Sequence, residues 1–261
     1  MPSARSTAQR VEPDPPGSSG HLILAIETSG RCGSVALARG AHVIEETALA
    51  GGLKHSRDLL PTIDALCRRH GVGPADVHDV YFSGGPGSFT GLRIAATVAR
   101  TLAMARGVGI VRVPTLDVIA QNALAAPNPP ARLAVILDAK RNHVYAAEFT
   151  LDVPDLTPGA AVYRRCLEPA ELDPDDFFAA LPRPCAVLGE GIAYHASAVD
   201  RSNLDRLPDD LNRPRAAVVH RLGFALASAG CSSDAAMATV TPIYIRAPEA
   251  EEVWARRNRA D

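Results

Sequence analysis

The stretch Ser83-Gly84-Gly85-Pro86-Gly87-Ser88-Phe89-Thr90-Gly91-Leu92-Arg93 decides the fold of this chain. It follows a short apolar run at residues 80–82 and opens a long segment with helical periodicity, so it predicts a strand, a tight turn and a helix. Its glycines adopt backbone conformations that other residues avoid, and Ser88 is a good helix N-cap. Such a helix start can bind an anion or phosphate, but it also suits a purely structural turn.

Further strands and helices are predicted on both sides of this turn. Apolar runs at 21–27, 34–38 and 42–47, joined by tight turns, predict an antiparallel three-stranded meander. A helix at 55–70, a strand at 77–82, a helix at 88–106, a strand at 108–113 and a helix starting at Pro114 follow. This order is typical of a ribonuclease-H-like lobe, as in the actin and sugar-kinase group. Periodicity alone predicts only a mixed α/β architecture; the resemblance to that group implies an α/β, actin-like (ribonuclease-H-like) two-lobe fold with mixed β-sheets flanked by helices.

The second half of the chain predicts a smaller lobe. A hairpin at 133–138 and 143–149 is followed by a strand at 162–167, a helix at 174–181, a strand at 186–188 and a helix at 215–229. The proline-rich residues 127–130 mark a joint between lobes. The expected organisation is a disordered tail at 1–20, an N-terminal lobe at 21–126, a smaller C-terminal lobe at 127–246 and a charged tail at 247–261.

Composition limits the class of function. The chain has 261 residues and a formal net charge of −2, so no overall basic field draws it to nucleic acid. No apolar stretch reaches the roughly 18–20 residues of a membrane span, and the first twenty residues lack the apolar core of a secretory signal. The cysteines, five in number and without zinc-like spacing, predict free thiols in a reducing, cytoplasmic compartment: Cys32, Cys67, Cys166, Cys185 and Cys231.

Four polar residues are candidates for anion or nucleotide contact. Glu27, in the first hairpin, suits either a phosphate or magnesium loop or a polar turn with a capping carboxylate. Asp138 begins the second hairpin turn. Arg93 can face an anion or pair with an acid such as Asp138 or Glu27, and Ser88 can cap the helix or contact an anion.

Several catalytic motifs are missing from the sequence. It has no HxxxH or HExxH pair, no GxSxG elbow, and no lysine followed by serine or threonine after the glycines. A metallopeptidase, an α/β-hydrolase and a P-loop nucleotidase are therefore disfavoured.

The helix after the glycine turn carries small side chains every fourth residue, at Gly91, Ala95, Ala99 and Ala103. A row of this kind lets another backbone come close. Two interpretations remain: the row packs on the chain's own sheet, or it packs against a helix of another protein.

The chain resembles the TsaB (YeaZ) family of bacterial tRNA threonylcarbamoyladenosine biosynthesis proteins. The run from Gly84 to Arg93 looks like the family signature, and the likeness extends over most of the chain outside the N-terminal tail. The other segments that resemble the family are Leu24-Ala25-Ile26-Glu27-Thr28-Ser29, the helix start His55-Ser56, Val113-Pro114-Thr115-Leu116-Asp117, Leu137-Asp138-Ala139-Lys140-Arg141-Asn142-His143-Val144-Tyr145 and Pro242-Ile243-Tyr244-Ile245-Arg246.

The resemblance implies a non-catalytic partner of the paralogue TsaD, working with the ATPase TsaE. Together they transfer a threonylcarbamoyl group to the adenosine 3′ of the anticodon. TsaD carries an HxxxH metal site, and the matching place here, residues 115–119, has no histidine. The resemblance also implies contact with tRNA through the complex, ATP and magnesium at the level of the complex, and a homodimer when isolated. The partner-binding residues expected on the first two helices are Leu59, Ile63, Leu92, Ala95 and Ala99.

Two other functions compete with this one. An ATP-binding actin-like kinase or ATPase needs an acid in the first hairpin, a second phosphate hairpin and an adenosine pocket. Asp138 at the second hairpin turn keeps that possibility open, whereas the short second lobe disfavours a complete nucleotide cleft. A direct tRNA-binding module is disfavoured because the charge is close to neutral.

Overall fold

The computed structural model describes residues 20–50, 55–153, 161–230 and 240–246. The tails predicted at 1–20 and 247–261 lie outside these ranges, apart from Gly20.

The first sheet has five strands in the order β3-β2-β1-β4-β5. Strands β1 to β3 form an antiparallel meander, whereas β4 and β5 join β1 in parallel. The predicted meander and the strand–turn–helix unit are therefore confirmed. The elements in chain order are β1 Leu22–Glu27, β2 Ser34–Arg39, β3 His42–Ala48, α1 His55–Arg69, β4 Val77–Gly85, α2 Phe89–Arg106 and β5 Gly109–Pro114.

Local signals in the sequence explain the bounds of α2. The Ser88 side chain accepts a hydrogen bond from the Gly91 N–H, as expected of an N-cap, and Gly107 ends the helix in a left-handed conformation. The following helix, α3 Thr115–Asn122, has Pro114 at its N-cap rather than at its first helical position, because Pro114 retains an extended backbone.

The second sheet has six strands, with the path β11-β10-β6-β7-β8 and β9 paired to β7. The short elements β9, α5 and β11 were not predicted: β9 and β11 have three and two residues, and α5 lacks the proline and acidic first turn that mark the start of α4. The elements are β6 Arg132–Lys140, β7 His143–Asp152, β8 Val162–Arg165, β9 Ala170–Leu172, α4 Pro174–Ala180, β10 Ala186–Leu188, α5 Ala196–Ser202, β11 Asp205–Arg206 and α6 Ala216–Ser228.

Helix α6 packs on the first sheet, although the sequence interpretation assigned it to the smaller lobe. Its buried Ala216 and Val219 contact the face of the first sheet that carries Ile23 and Tyr81. Contacts from the first lobe hold its start: the Ala216 N–H donates to Ser34 Oγ at 2.9 Å. The boundary at 127–246 stays a prediction, but this helix belongs by its packing with the first sheet.

Helix α3 lies between the two sheets and is buried on all sides. Val118 packs with the first sheet, whereas Leu116 and Ile119 pack with the second. Helices α1 and α2 cover the other face of the first sheet, and α4 and α5 cover the other face of the second. Two mixed sheets flanked by helices in this order form the expected actin-like fold.

Candidate functional site

The glycine turn between β4 and α2 is packed backbone to backbone against its neighbours. The Ser88 N–H donates to the Ser29 carbonyl at 2.7 Å, and the Gly85 N–H donates to Thr115 Oγ1 at 3.2 Å. Gly85 has a φ of 116°, and a Cβ there would lie 2.5 Å from the Ile243 carbonyl oxygen. Because the Gly85 and Ser88 N–H groups are used within the chain, this geometry favours a structural turn over a phosphate cradle.

Glu27 lies fully buried beneath the first hairpin turn. Its carboxylate accepts hydrogen bonds from the Ser29 N–H and the Ser29 hydroxyl, each at 2.5 Å, and from the Ser83 hydroxyl. Burial raises the pKa of Glu27 to about 7, although the serine hydrogen bonds act in the opposite direction. The side chain thus ties the hairpin to β4 and presents no oxygen to solvent.

Asp138 is engaged in the second hairpin. Its oxygens accept from the Lys140 ammonium at 2.7 Å and from the Lys140 N–H at 3.1 Å, and His195 Nε2 lies 3.4 Å away. Burial acts to raise the pKa of Asp138, but the hydrogen bonds from Lys140 outweigh it and hold that pKa below its ordinary value. Both acids are therefore held by hydrogen bonds within the fold, and Asp138 also lines the cavity between the lobes.

Arg93 pairs with neither of the acids proposed for it. Its Nε donates to Tyr244 Oη at 3.2 Å, and its guanidinium carbon lies 3.8 Å from the centre of the Phe89 ring. Arg93 lines the groove between α1 and α2, whereas Glu27 and Asp138 are held by other partners. The sequence could not show this, since Tyr244 lies 151 residues further along the chain.

A cavity of about 440 Å³ lies between the lobes, lined by both hairpins and by the start of α2. Two hydrogen bonds from the first lobe to the second cross it. The Arg31 N–H donates to the Glu190 carboxylate at 3.1 Å, and Arg31 Nη1 donates to Tyr194 Oη at 2.7 Å. The Lys140 ammonium lies 5.2 Å from the centre of the same tyrosine ring. Burial raises the pKa of Glu190, although the Arg31 backbone hydrogen bond opposes the effect.

Four of the five predicted partner-binding residues lie in the core of the chain itself. Leu59, Leu92, Ala95 and Ala99 are at most 1% exposed and pack against the first sheet, and Ile63 is partly buried against the same cluster. The row of small side chains serves the close approach of α2 to its own sheet. Ala95 and Ala99 therefore face the chain's own sheet rather than a partner, whereas Leu59 also lines the groove described next. The partner-binding role of the five residues stays a prediction.

The outer faces of α1 and α2 instead form an apolar groove of about 440 Å³, here called the α1–α2 groove. Leu60 is 59% exposed and Phe89 is 39% exposed at its edges. Further along α2, Met104 is 68% exposed. The sequence could have identified this surface by its large apolar side chains, such as Leu60 and Met104, which fall outside the buried apolar face of each helix. The groove is lined by Ser56, Leu59, Leu60, Phe89, Thr90, Arg93, Ile94, Thr97 and Val98.

Residues 115–119 occupy the place where the resemblance puts a histidine pair in TsaD. The Thr115 hydroxyl accepts the Gly85 N–H, and Ile119 is fully buried against the second sheet. Among the described residues, no group of three or more histidine, cysteine, aspartate or glutamate side chains is arranged to hold a metal ion. No helix in the described ranges is both long and apolar enough to cross a bilayer.

One family model and several curated proteins are similar in sequence to this chain. The family model described as "TsaD: tRNA N6-adenosine threonylcarbamoyltransferase" matches residues 46–173. The tRNA threonylcarbamoyladenosine biosynthesis protein TsaB of Bacillus subtilis (strain 168) is 28% identical over 240 residues, which cover 89% of this chain and 97% of the relative. The protein of the same name from Escherichia coli (strain K12) is 33% identical over 130 residues, which cover 50% of this chain and 55% of the relative.

A solved structure extends the likeness to three dimensions. The structure of YeaZ from Pseudomonas aeruginosa superposes with a TM-score of 0.70 at 26% identity, covering 86% of this chain and 99% of that one. The sequence motifs, the nearly full-length relative and this superposition agree, and all three show similarity to the TsaB (YeaZ) family.

Proposed function

We propose that this chain is a non-catalytic partner of TsaD in tRNA threonylcarbamoyladenosine (t6A) modification. In this role it supports the transfer of a threonylcarbamoyl group to N6 of the adenosine 3′ of the anticodon. TsaD docks on the α1–α2 groove, and the groove is the observation that carries the proposal.

The exposed side chains of the groove support a docking role. Leu60 and Phe89 stand on two adjacent helices, and Ile94 and Val98 line the floor between them. Clustered exposed apolar side chains of this kind mark protein–protein contact sites more often than ordinary surface. Arg93, next to Phe89, places a cation at the rim, and aromatic and arginine side chains are enriched where binding energy is concentrated.

The polar residues between the lobes support a role without catalysis. Glu27 is buried under three hydrogen bonds from serine, Asp138 is paired with Lys140, and Thr115 binds a backbone N–H. A group that transfers a proton or holds a metal must reach the reacting atoms, and these side chains are already engaged within the fold.

Other partners follow from the same proposal. TsaE joins the complex and supplies the ATP and magnesium chemistry, because the described acids beside the interlobe cavity, Asp138 and Glu190, already accept hydrogen bonds within the chain. Contact with tRNA is made through the complex, in keeping with a net charge of −2. Without TsaD, a second copy of the chain occupies the groove. We place this activity in the cytoplasm.

Reconstitution tests the proposal. Unmodified tRNA, TsaD, TsaE and the threonylcarbamoyl adenylate are combined with and without this chain, and t6A is measured by mass spectrometry of the digested tRNA. We expect t6A to accumulate only when the chain is present. Equal yields in both reactions would exclude a supporting role.

The alternative is an ATP-binding actin-like kinase or ATPase. The cavity of about 440 Å³ beside the start of α2 is the observation that favours it. Titration calorimetry of the isolated chain with ATP and magnesium separates the two functions. Tight binding with magnesium dependence would favour the enzyme, whereas the partner function predicts no measurable heat.

A further inference from the structure

Residues 240–246, here called the strap segment, run outside both sheets and are held against the first lobe at their start. Val240 is buried in the core under α2. The Ile243 N–H donates to the Gly84 carbonyl at 2.6 Å, and Arg112 Nη1 donates to the Thr241 carbonyl at 2.5 Å. The strap segment is thus fixed directly to the glycine turn that precedes α2.

The end of the strap segment is held by the second lobe. Arg246 Nη1 donates to the Ala139 carbonyl at 3.1 Å and lies 3.4 Å from Glu171 Oε1. Ala139 belongs to β6 and Glu171 to β9, so one arginine contacts two strands of the second sheet. The side chains of Arg246 and Glu171 are only 17% and 26% exposed, so this contact is well shielded from water.

Between these anchors, Tyr244 reaches the edge of the α1–α2 groove. Its ring centre lies 5.4 Å from that of Phe89, and its Oη accepts the Arg93 hydrogen bond. Phe89 therefore contacts both Tyr244 and the Arg93 guanidinium. Arg246 itself is not among the residues that line the groove.

We propose that the strap segment is a positioning element, which sets the orientation of Phe89 and Arg93 and so makes docking at the groove depend on the second lobe. This inference rests on the docking function proposed above. A segment of seven residues that is held at both ends has little conformational freedom. When the Arg246 anchor is removed, Tyr244 gains freedom, and a partner must order Phe89 and Arg93 as it binds.

Binding measurements on purified full-length chain and TsaD test the inference. We expect Arg246→Ala to weaken binding by about 5- to 10-fold and Arg246→Lys, which keeps a donor for the Ala139 carbonyl, to stay within about twofold of wild type. The matched control is Arg132→Ala, which removes an ion pair with Glu148 on the second sheet away from the strap segment. It should also bind within about twofold of wild type.

A double variant shows whether Arg246 acts through Tyr244. If it does, Arg246→Ala combined with Tyr244→Ala binds no more weakly than Tyr244→Ala alone. Additive losses, or unchanged binding by a folded Arg246→Ala variant, would overturn the inference.

Hydrogen exchange of the isolated chain separates this inference from the docking function. We expect Arg246→Ala to speed exchange of the Ile243 amide and of the first turn of α2, with exchange in α4 unchanged. If wild type does not bind TsaD, the docking function fails, and the exchange result still decides whether the strap segment positions Phe89. Unchanged exchange at both places would overturn the positioning role.

Discussion

The carbonyl oxygen of Thr28 fills the space that a side chain on Gly91 would need. A Cβ on Gly91 would lie 1.8 Å from that oxygen. In the other direction, the Thr28 hydroxyl donates to the Gly91 carbonyl at 2.7 Å. The turn after β1 and the first turn of α2 therefore meet backbone to backbone, and this contact joins two segments that lie 63 residues apart.

We predict that Gly91→Ala destabilises the protein by about 3 kcal/mol, because the new methyl group forces β1 and α2 apart. The loss exceeds the roughly 1 kcal/mol that alanine normally gains over glycine inside a helix. Denaturant unfolding measures the free energy. Gly73→Ala is the matched control, since its Cβ would meet only Asp76 Oδ2, at 3.9 Å. A Gly91→Ala variant as stable as wild type would show that the contact can relax.

The buried carboxyl of Glu27 predicts that the free energy of unfolding depends on pH. Its pKa rises from 4.5 to about 7 on folding, so between these values the folded state holds one proton more than the unfolded state. The contribution of Glu27 to the free energy of unfolding therefore decreases as the pH rises, by about 3 kcal/mol across the window. Glu27→Gln removes this proton uptake, and we expect the variant to gain stability relative to wild type between about pH 5 and about pH 8.

Urea unfolding at several pH values measures this difference. Glu168→Gln is the control for loss of a surface carboxylate, because the Glu168 side chain is 85% exposed. The prediction fails if the stability difference between Glu27→Gln and wild type does not change with pH.

The α1–α2 groove predicts a surface variant that loses partner binding without unfolding. Leu60→Arg places a charge on the exposed edge of the groove, and we expect its affinity for TsaD to drop by about 30-fold or more. Its stability should remain within about 0.5 kcal/mol of wild type, since Leu60 is 59% exposed. Pull-down and calorimetry with TsaD measure the loss. Leu167→Arg, on another exposed leucine, should bind normally; equal binding by both variants would place the contact surface elsewhere.

Glu46, on β3, accepts hydrogen bonds at the start of α6 and so acts as a cap for that distant helix. Its carboxylate accepts the Ala217 N–H at 3.2 Å and the Arg215 Nη2 donor at 2.6 Å, at the start of α6. No side chain within α6 itself caps this end. We expect Glu46→Ala to lower the free energy of unfolding by about 1–2 kcal/mol, as the loss of a helix cap usually does.

Thermal unfolding, together with exchange of the first turn of α6, checks the capping effect. Glu168→Ala, which removes an exposed glutamate that pairs with Arg165 rather than with α6, should leave both unchanged. Normal protection of the Ala216 and Ala217 amides in Glu46→Ala would contradict the role of Glu46.

Local patterns in the sequence were sufficient for the first lobe up to α3. Alternating and continuous apolar runs predict β1 to β5, and Ser88 and Gly107 mark the two ends of α2. These features need only neighbouring residues, because capping and periodicity act within one or two turns. The glycine turn was the best indicator of the fold for the same reason.

Such patterns could not show which distant segments pack against each other. The apolar face of α6 could cover either sheet, and contacts with Ser34 and Glu46, more than 160 residues earlier, hold its start against the first sheet. Likewise, the four-residue spacing of Ala95 and Ala99 fits packing against a partner or against the chain's own sheet. Only the position of β4 under α2 decides between them.

The sequence by itself therefore determined the order of the elements in the first lobe, the two caps of α2 and the resemblance to the TsaB (YeaZ) family. The tertiary structure alone decided that the small-residue row faces inward, that Leu60 and Phe89 face outward, and that Arg93 pairs with Tyr244. The physical reason is that periodicity identifies an apolar face but not the surface that covers it. That surface comes from distant segments, whose positions depend on how the whole chain packs.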